Sequence, residues 1–73
     1  MEAKYFKSMS SDGVTVVSVY KKIGRNTAAI YYDGSVSLGL IINDLTNEAH
    51  YLPATEKEFN KFRKMAIKKL QSL

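Results

Sequence analysis

Residues 54–73 read ATEKEFNKFRKMAIKKLQSL and carry the signals of a helix with a defined start and two unlike faces. Thr55 and Glu58 match the capping box, in which each side chain accepts a hydrogen bond from the other residue's free backbone N–H. At about 100° per residue, five apolar side chains fall on one stripe, formed by Phe59, Phe62, Ala66, Leu70 and Leu73. We therefore predict a helix over about 56–72 that packs this stripe against the rest of the chain.

The face of the helix opposite the stripe is basic. It carries four lysines, Lys57, Lys61, Lys64 and Lys68, which the same periodicity places in one line. The formal net charge is +4; residues 55–73 hold six cations and two carboxylates, whereas residues 1–54 hold five of each. The positive excess of the chain therefore belongs to the helix, and we expect the lysine row to point outward.

The residues before the helix read as strands separated by turns. Asp33-Gly34 is a strong hairpin signal and predicts a two-residue type I′ loop, and IGRN at 23–26 marks a second tip. Runs of β-branched and alternating residues predict four strands and a candidate short fifth one, over about 3–9, 14–22, 27–32, 35–43 and 49–52. The predicted fold is α+β: an antiparallel meander followed by one C-terminal amphipathic helix packed on one face.

Loop lengths decide which side chains share a face, because directly opposed residues of antiparallel strands point to the same side. Two-residue loops at Gly24-Arg25 and Asp33-Gly34 predict a first face that holds Val14, Val16, Tyr20, Ala29, Tyr31, Val36, Leu38, Leu40 and Ile42. The second face then holds Val17, Val19, Ala28, Ile30, Tyr32 and Ile41. We expect the helix to dock on the first face, since that face is the more apolar.

The second face then lacks a cover within the chain. A protein of 73 residues builds only a thin core, and the absence of cysteine rules out a disulfide that would reinforce it. Uncovered apolar surface usually marks an interaction site. We therefore expect a homodimer with its interface at Val17, Val19, Ile30, Tyr32 and Ile41. The alternative is that this face is solvated, as antiparallel sheets tolerate.

Composition narrows the class of protein. The length fits one domain, 1–73, and no linker or repeat divides it. No apolar segment follows the first lysine as in a signal peptide, and no apolar run approaches the roughly 20 residues that span a bilayer. The sequence therefore predicts a soluble cytoplasmic protein, and no membrane partner is expected.

Catalytic patterns are missing from the sequence. His50 is the one histidine, which leaves no multi-histidine metal site, and the four glycines are isolated rather than gathered in a phosphate-binding loop. The carboxylates mostly fall beside turn glycines, in the polar loop or at the helix start. We expect no enzymatic activity, no metal or other cofactor and no small-molecule substrate.

Basic residues near tyrosines favour a binding protein. A row of lysines would be relieved of its mutual repulsion by a phosphate backbone, and exposed tyrosines offer stacking surfaces for unpaired bases. The candidate nucleic-acid contacts are Lys21, Lys22, Arg25, Tyr32, Lys57, Lys61, Lys64 and Lys68. Two other interpretations stay open: the lysines serve solubility alone, or the protein is a protein–protein interaction module or inhibitor that uses the second face or the loop at 43–52.

The topology resembles that of the single-strand-binding modules of the positive-cofactor-four coactivators, the Whirly proteins and the PUR repeats. The local likeness is the passage from Pro53-Ala54-Thr55 into Glu58-Phe59, with Phe62 and Leu70 behind it. The resemblance implies pairing, as dimers or tandem repeats, and nucleic-acid binding mainly through the sheet and its loops. It thus favours Lys21, Lys22 and Arg25 over the helix lysines as primary contacts.

Overall fold

The computed structural model describes residues 4–42 and 51–73. Its elements are β1 (Lys4–Met9), β2 (Val16–Ile23), β3 (Asn26–Tyr31), β4 (Val36–Leu40), β5 (Leu52–Pro53) and α1 (Glu56–Gln71). The five strands form one antiparallel sheet in the order β4-β3-β2-β1-β5, and α1 packs on it. The predicted α+β fold with a C-terminal helix is confirmed, and the short fifth strand pairs with β1.

The β2–β3 hairpin has the predicted tip. Ile23 pairs with Asn26 around Gly24-Arg25, and Tyr20 opposes Ala29 as expected. Gly24 adopts a φ of +60°, a backbone conformation that suits glycine at the first central position of a two-residue hairpin loop. The register between these two strands is therefore set by local turn chemistry.

The β3–β4 hairpin differs from the prediction by one residue. The N–H of Gly34 donates to the carbonyl of Tyr31 and the N–H of Tyr31 donates to the carbonyl of Ser35, so the loop has three residues rather than two. Gly34, at a φ of +86°, takes the left-handed position that closes such a loop. Val36 consequently opposes Ile30, and not Tyr31.

The helix face of the sheet is the one that holds Val19 and Ile30, which corrects the predicted docking. These two residues form a buried core with Phe59 and Ala66, flanked by Tyr5, Val16 and Phe62. The prediction counted Val36 on the other face because of the assumed two-residue loop. It also placed Val16 on that other face. Val16 instead packs against the core beneath α1, next to a shift of the β1–β2 register between Ser8 and Met9. A one-residue shift moves side chains to the opposite face.

The face away from the helix carries its own core. Tyr20 is 8% exposed and Ala29 is fully buried, with Phe6, Tyr31, Leu40, Ile42 and Tyr51 packed around them. The Tyr20 and Tyr51 rings meet edge to face, with centroids 5.2 Å apart, and the Ser18 hydroxyl donates to the Tyr20 hydroxyl oxygen. Burial raises the pKa of Tyr20. This face is therefore covered at its centre within one chain.

The predicted dimer interface is wrong at two of its positions. Val19 and Ile30 lie beneath α1 and are not accessible to a second chain. Val17 is half-buried, whereas Tyr32 and Ile41 are exposed.

The start of α1 confirms the capping box. Thr55 Oγ1 accepts from the Glu58 N–H at 3.1 Å, and Glu58 Oε1 accepts from the Thr55 N–H at 3.1 Å. The stripe is buried only in its first half, because Leu70 and Leu73 are exposed. Near that end, Lys69 Nζ donates to the carbonyl of Asp33, which ties the last turns of α1 to the β3–β4 loop.

Candidate nucleic-acid interface

The lysine row (Lys57, Lys61, Lys64 and Lys68) lies on the outer face of α1. All four residues are exposed, as the periodicity predicts. At a rise of about 1.5 Å per residue, the row extends along roughly 16 Å of the helix. None of the four forms an ion pair with a carboxylate in the part of the chain that the structure describes.

Of the two carboxylates at the start of α1, Glu58 is engaged elsewhere, whereas the exposed Glu56 forms no ion pair with a described residue. Glu58 Oε2 lies 2.8 Å from Lys7 Nζ on β1, in the one ion pair found within 4–42 and 51–73. The hydrogen bond from Lys7, followed by those from Thr55, lowers the pKa of Glu58. In the loops, the hydroxyl of Ser10 lowers the pKa of Asp12, and hydrogen bonds from Ser35 lower that of Asp33. These three carboxylates therefore stay charged in local contacts, and no described carboxylate forms an ion pair with the lysine row.

An open groove runs beside the lysine row. It has a volume of about 480 Å³ and lies between α1, the start of β2 and the β3–β4 loop. Tyr32 and Lys61 both line it, and its apolar walls include Val14, Phe62 and Met65. Tyr32 is 66% exposed, and its backbone N–H donates to the carbonyl of Val17 at 2.8 Å, which fixes the residue beside β2. The fold thus brings an exposed aromatic ring and one cation of the row into the same groove.

A second basic group, the tip cluster, consists of Lys4, Lys21, Lys22 and Arg25. Lys4 on β1 directly opposes Lys22 on β2, an arrangement of like charges that is destabilising in a sheet. Lys21 points to the helix face, where its Nζ lies 5.8 Å from the centroid of the Tyr5 ring. Lys4 was not among the predicted contacts, because its position opposite Lys22 depends on the β1–β2 register.

The two basic groups share a side of the sheet only in part, because Lys21 lies on the helix face and Lys22 does not. Lys22 follows Tyr20 by two residues and so projects from the sheet face opposite α1, whereas the lysine row faces away from the sheet on the helix side. Tyr32 is also remote from Arg25, because the six residues of β3 between them span about 20 Å. The predicted contacts therefore divide into the row with Tyr32 and the tip cluster.

His50 and most of the loop at 43–52, a candidate protein contact, lie outside the described residues. Within the described ranges no three histidine, aspartate or glutamate side chains come close enough to hold a metal ion. No helix in this part of the chain is long and apolar enough to cross a membrane.

Comparison with known proteins assigns no family to the chain. No protein-family model matches it, and neither a curated protein nor a solved structure matches it significantly.

Proposed function

We propose that this chain is a small basic cytoplasmic protein that binds single-stranded DNA or RNA with little sequence preference. The observation that carries the proposal is the lysine row with no described carboxylate partner, next to a groove that holds the exposed ring of Tyr32. Cations that follow a backbone and aromatic rings that stack on bases are the two components of sequence-tolerant single-strand binding. The topological resemblance to single-strand-binding modules is consistent with the same function.

Phosphates would follow the lysine row. Binding neutralises several of them at once and releases condensed counterions, so affinity falls as salt rises. It also relieves the repulsion between lysines one turn apart, which no described acid compensates. The row thus supplies attraction to any strand, whatever its bases.

A base would occupy the groove. Tyr32 offers a π-face that accepts every base, and the apolar walls around Phe62 and Met65 exclude water from the stacked ring. Lys61 lies both in the row and in the groove, so a nucleotide stacked on Tyr32 keeps its phosphate within reach of a cation. Duplex DNA holds its bases in the stack and cannot use this contact, which favours single strands.

The tip cluster is a competing contact, which the topological resemblance favours. Lys22 and its neighbours stand at one end of the sheet face opposite α1, but the centre of that face is filled by the core around Tyr20 and Ala29. A strand bound there would lie along the end of the sheet and find no exposed ring comparable to Tyr32. We therefore assign the primary contact to the row and the groove.

Fluorescence anisotropy with labelled single- and double-stranded oligonucleotides at two salt concentrations tests the proposal. We expect binding to the single strand that weakens with salt, and weaker binding to the duplex. Absence of binding to either at low salt would reject nucleic-acid binding and favour the protein-interaction module. That alternative has support from the exposed apolar residues Val36, Leu38 and Ile41.

A further inference from the structure

The two edges of the sheet differ in the protection they have against pairing. β5, at one edge, has two residues and ends in Pro53. β4, at the other edge, has five residues, and no charged residue or proline occurs from Gly34 to Ile42. Natural edge strands are usually shortened or carry lysine or proline to prevent pairing. In the described part of the chain, β5 has these features, whereas β4 has no charge or proline and its register with β3 shifts at Leu38-Gly39, where Gly39 takes a φ of +73°.

The main chain of β4 presents hydrogen-bonding groups to the open side. The Tyr31 N–H donates to the Ser35 carbonyl, so these residues form a hydrogen-bonded pair, and Ala29 opposes Ser37 two residues further along each strand. Because hydrogen-bonded pairs alternate in an antiparallel ladder, the Ser37 N–H and C=O point toward β3. The corresponding groups of Val36 point away from β3, and the proposed pairing assigns the same direction to Leu38, which follows Ser37 just before the register shift. Their side chains are exposed as well, by 48% and 76% respectively. Within the described residues, this edge thus combines main-chain donors and acceptors that β3 does not use with exposed apolar side chains.

We propose that β4 pairs antiparallel with β4 of a second copy of this chain, around a two-fold axis at Ser37. In this register Val36 of each copy exchanges main-chain hydrogen bonds with Leu38 of the other, and the two Ser37 residues face each other. The result is a continuous ten-stranded sheet. Because β5 is too short to accept a strand, the contact closes as a dimer and does not propagate into a filament.

The charge and shape of the β4 edge favour a second copy of this chain as the partner that pairs with it. Both copies carry a net charge of +4, yet the paired segments bring no lysine or arginine together. Val36 opposes Ile30 under α1, so the added strand extends an existing apolar layer. A five-residue strand alone buries less than the roughly 800 Å² per partner of a stable dimer. The exposed side chains that flank it, Ile41 and Leu70, are therefore expected to contribute.

Disulfide trapping tests the register. The chain has no cysteine, so Ser37→Cys introduces one thiol per copy. Facing Ser37 residues in a non-hydrogen-bonded pair have Cα atoms about 4.5 Å apart, within disulfide range. Ser35→Cys is the matched control, because the proposed axis separates its two copies by about 14 Å. We expect mild oxidation to cross-link Ser37→Cys at least about tenfold faster than Ser35→Cys; equal rates would overturn the register.

Light scattering tests the dimer itself. We expect the wild-type chain to be dimeric at micromolar concentration and Leu38→Lys to be monomeric, because it places two like charges in the seam. Val14→Lys is the control: Val14 is 78% exposed, close to the 76% of Leu38, but lies outside β4, so this variant stays dimeric. Circular dichroism checks that both variants fold. A monomeric wild type, or a dimeric Leu38→Lys, would overturn the proposal, and neither outcome depends on nucleic-acid binding.

Discussion

Replacing Lys61 and Lys64 by glutamine is the sharpest test of where nucleic acid binds. These are the two central lysines of the row, and Lys61 also lines the groove with Tyr32. For single strands, the slope of log Kobs against log salt is about −0.7 per neutralised phosphate. Four lysines that each contact one phosphate give about −2.8, so affinity falls about 50-fold between roughly 50 and 200 mM salt. The double variant should show a slope of about −1.4 and a fall of about sevenfold.

The assay is fluorescence anisotropy with a labelled oligothymidine at four or more salt concentrations. The matched control is the double variant Lys22→Gln with Arg25→Gln, which removes the same charge from the tip cluster, at Lys22 on the sheet face opposite α1 and at Arg25 in the β2–β3 loop. We expect this control to keep a slope near −2.8. Equal loss of slope in both variants would show that net charge alone drives binding, and loss only in the control would move the site to the tip cluster. Either result would refute the assignment to the lysine row.

Three further predictions follow from the contacts. Tyr32→Ala should weaken single-strand binding by about 1–3 kcal/mol while Tyr32→Phe retains it, because stacking needs the ring and not the hydroxyl; anisotropy at constant salt separates the two. Phe59→Ala should lower the free energy of unfolding by about 3–5 kcal/mol, whereas Leu73→Ala, at an exposed position of the same stripe, should change it little, as urea unfolding would show. The lowered pKa of Glu58 means that its contribution to stability is present above the unfolded value, near 4.5, and is lost as pH falls through the folded pKa. Lys7→Gln should therefore reduce the pH dependence of the urea midpoint below about pH 4.5, and an unchanged profile would show that the ion pair is not formed in solution.

Local signals predicted the parts of the fold that depend on a few adjacent residues. Thr55 and Glu58 cap the helix because both partners of the capping box lie within one turn, and Gly24-Arg25 sets the β2–β3 register for the same reason. Asp33-Gly34 is different, because Gly34 can supply the positive φ that either a two-residue or a three-residue loop needs. Long-range contacts accompany the observed geometry, including the hydrogen bond from Lys69 to the Asp33 carbonyl. The sequence alone therefore could not determine the face on which α1 docks.

The candidate site shows the same division between local and long-range information. The lysine row follows from helical periodicity, so it could be predicted, and its outward direction is confirmed. The placement of Tyr32 and Lys61 in one groove could not be predicted, because it depends on the position of α1 over β2. The opposition of Lys4 and Lys22 was also inaccessible, since the β1–β2 register includes a shift between Ser8 and Met9 that no turn motif signals. Contacts between elements that are distant in sequence therefore could not be predicted from the sequence.

The effect of the lysine row on the stability of α1 distinguishes a binding surface from a solubilising one. Lys57 with Lys61 and Lys64 with Lys68 are like charges four residues apart, each pair costing the helix about 0.2–0.5 kcal/mol. Solubility alone needs no such arrangement, because alternating lysine and glutamate keeps a surface charged without the repulsion. Replacement of Lys61 and Lys64 by glutamine interrupts the whole row. It should therefore raise the free energy of unfolding slightly while it weakens binding, and this opposition between stability and affinity is expected only if the row is kept for a polyanion.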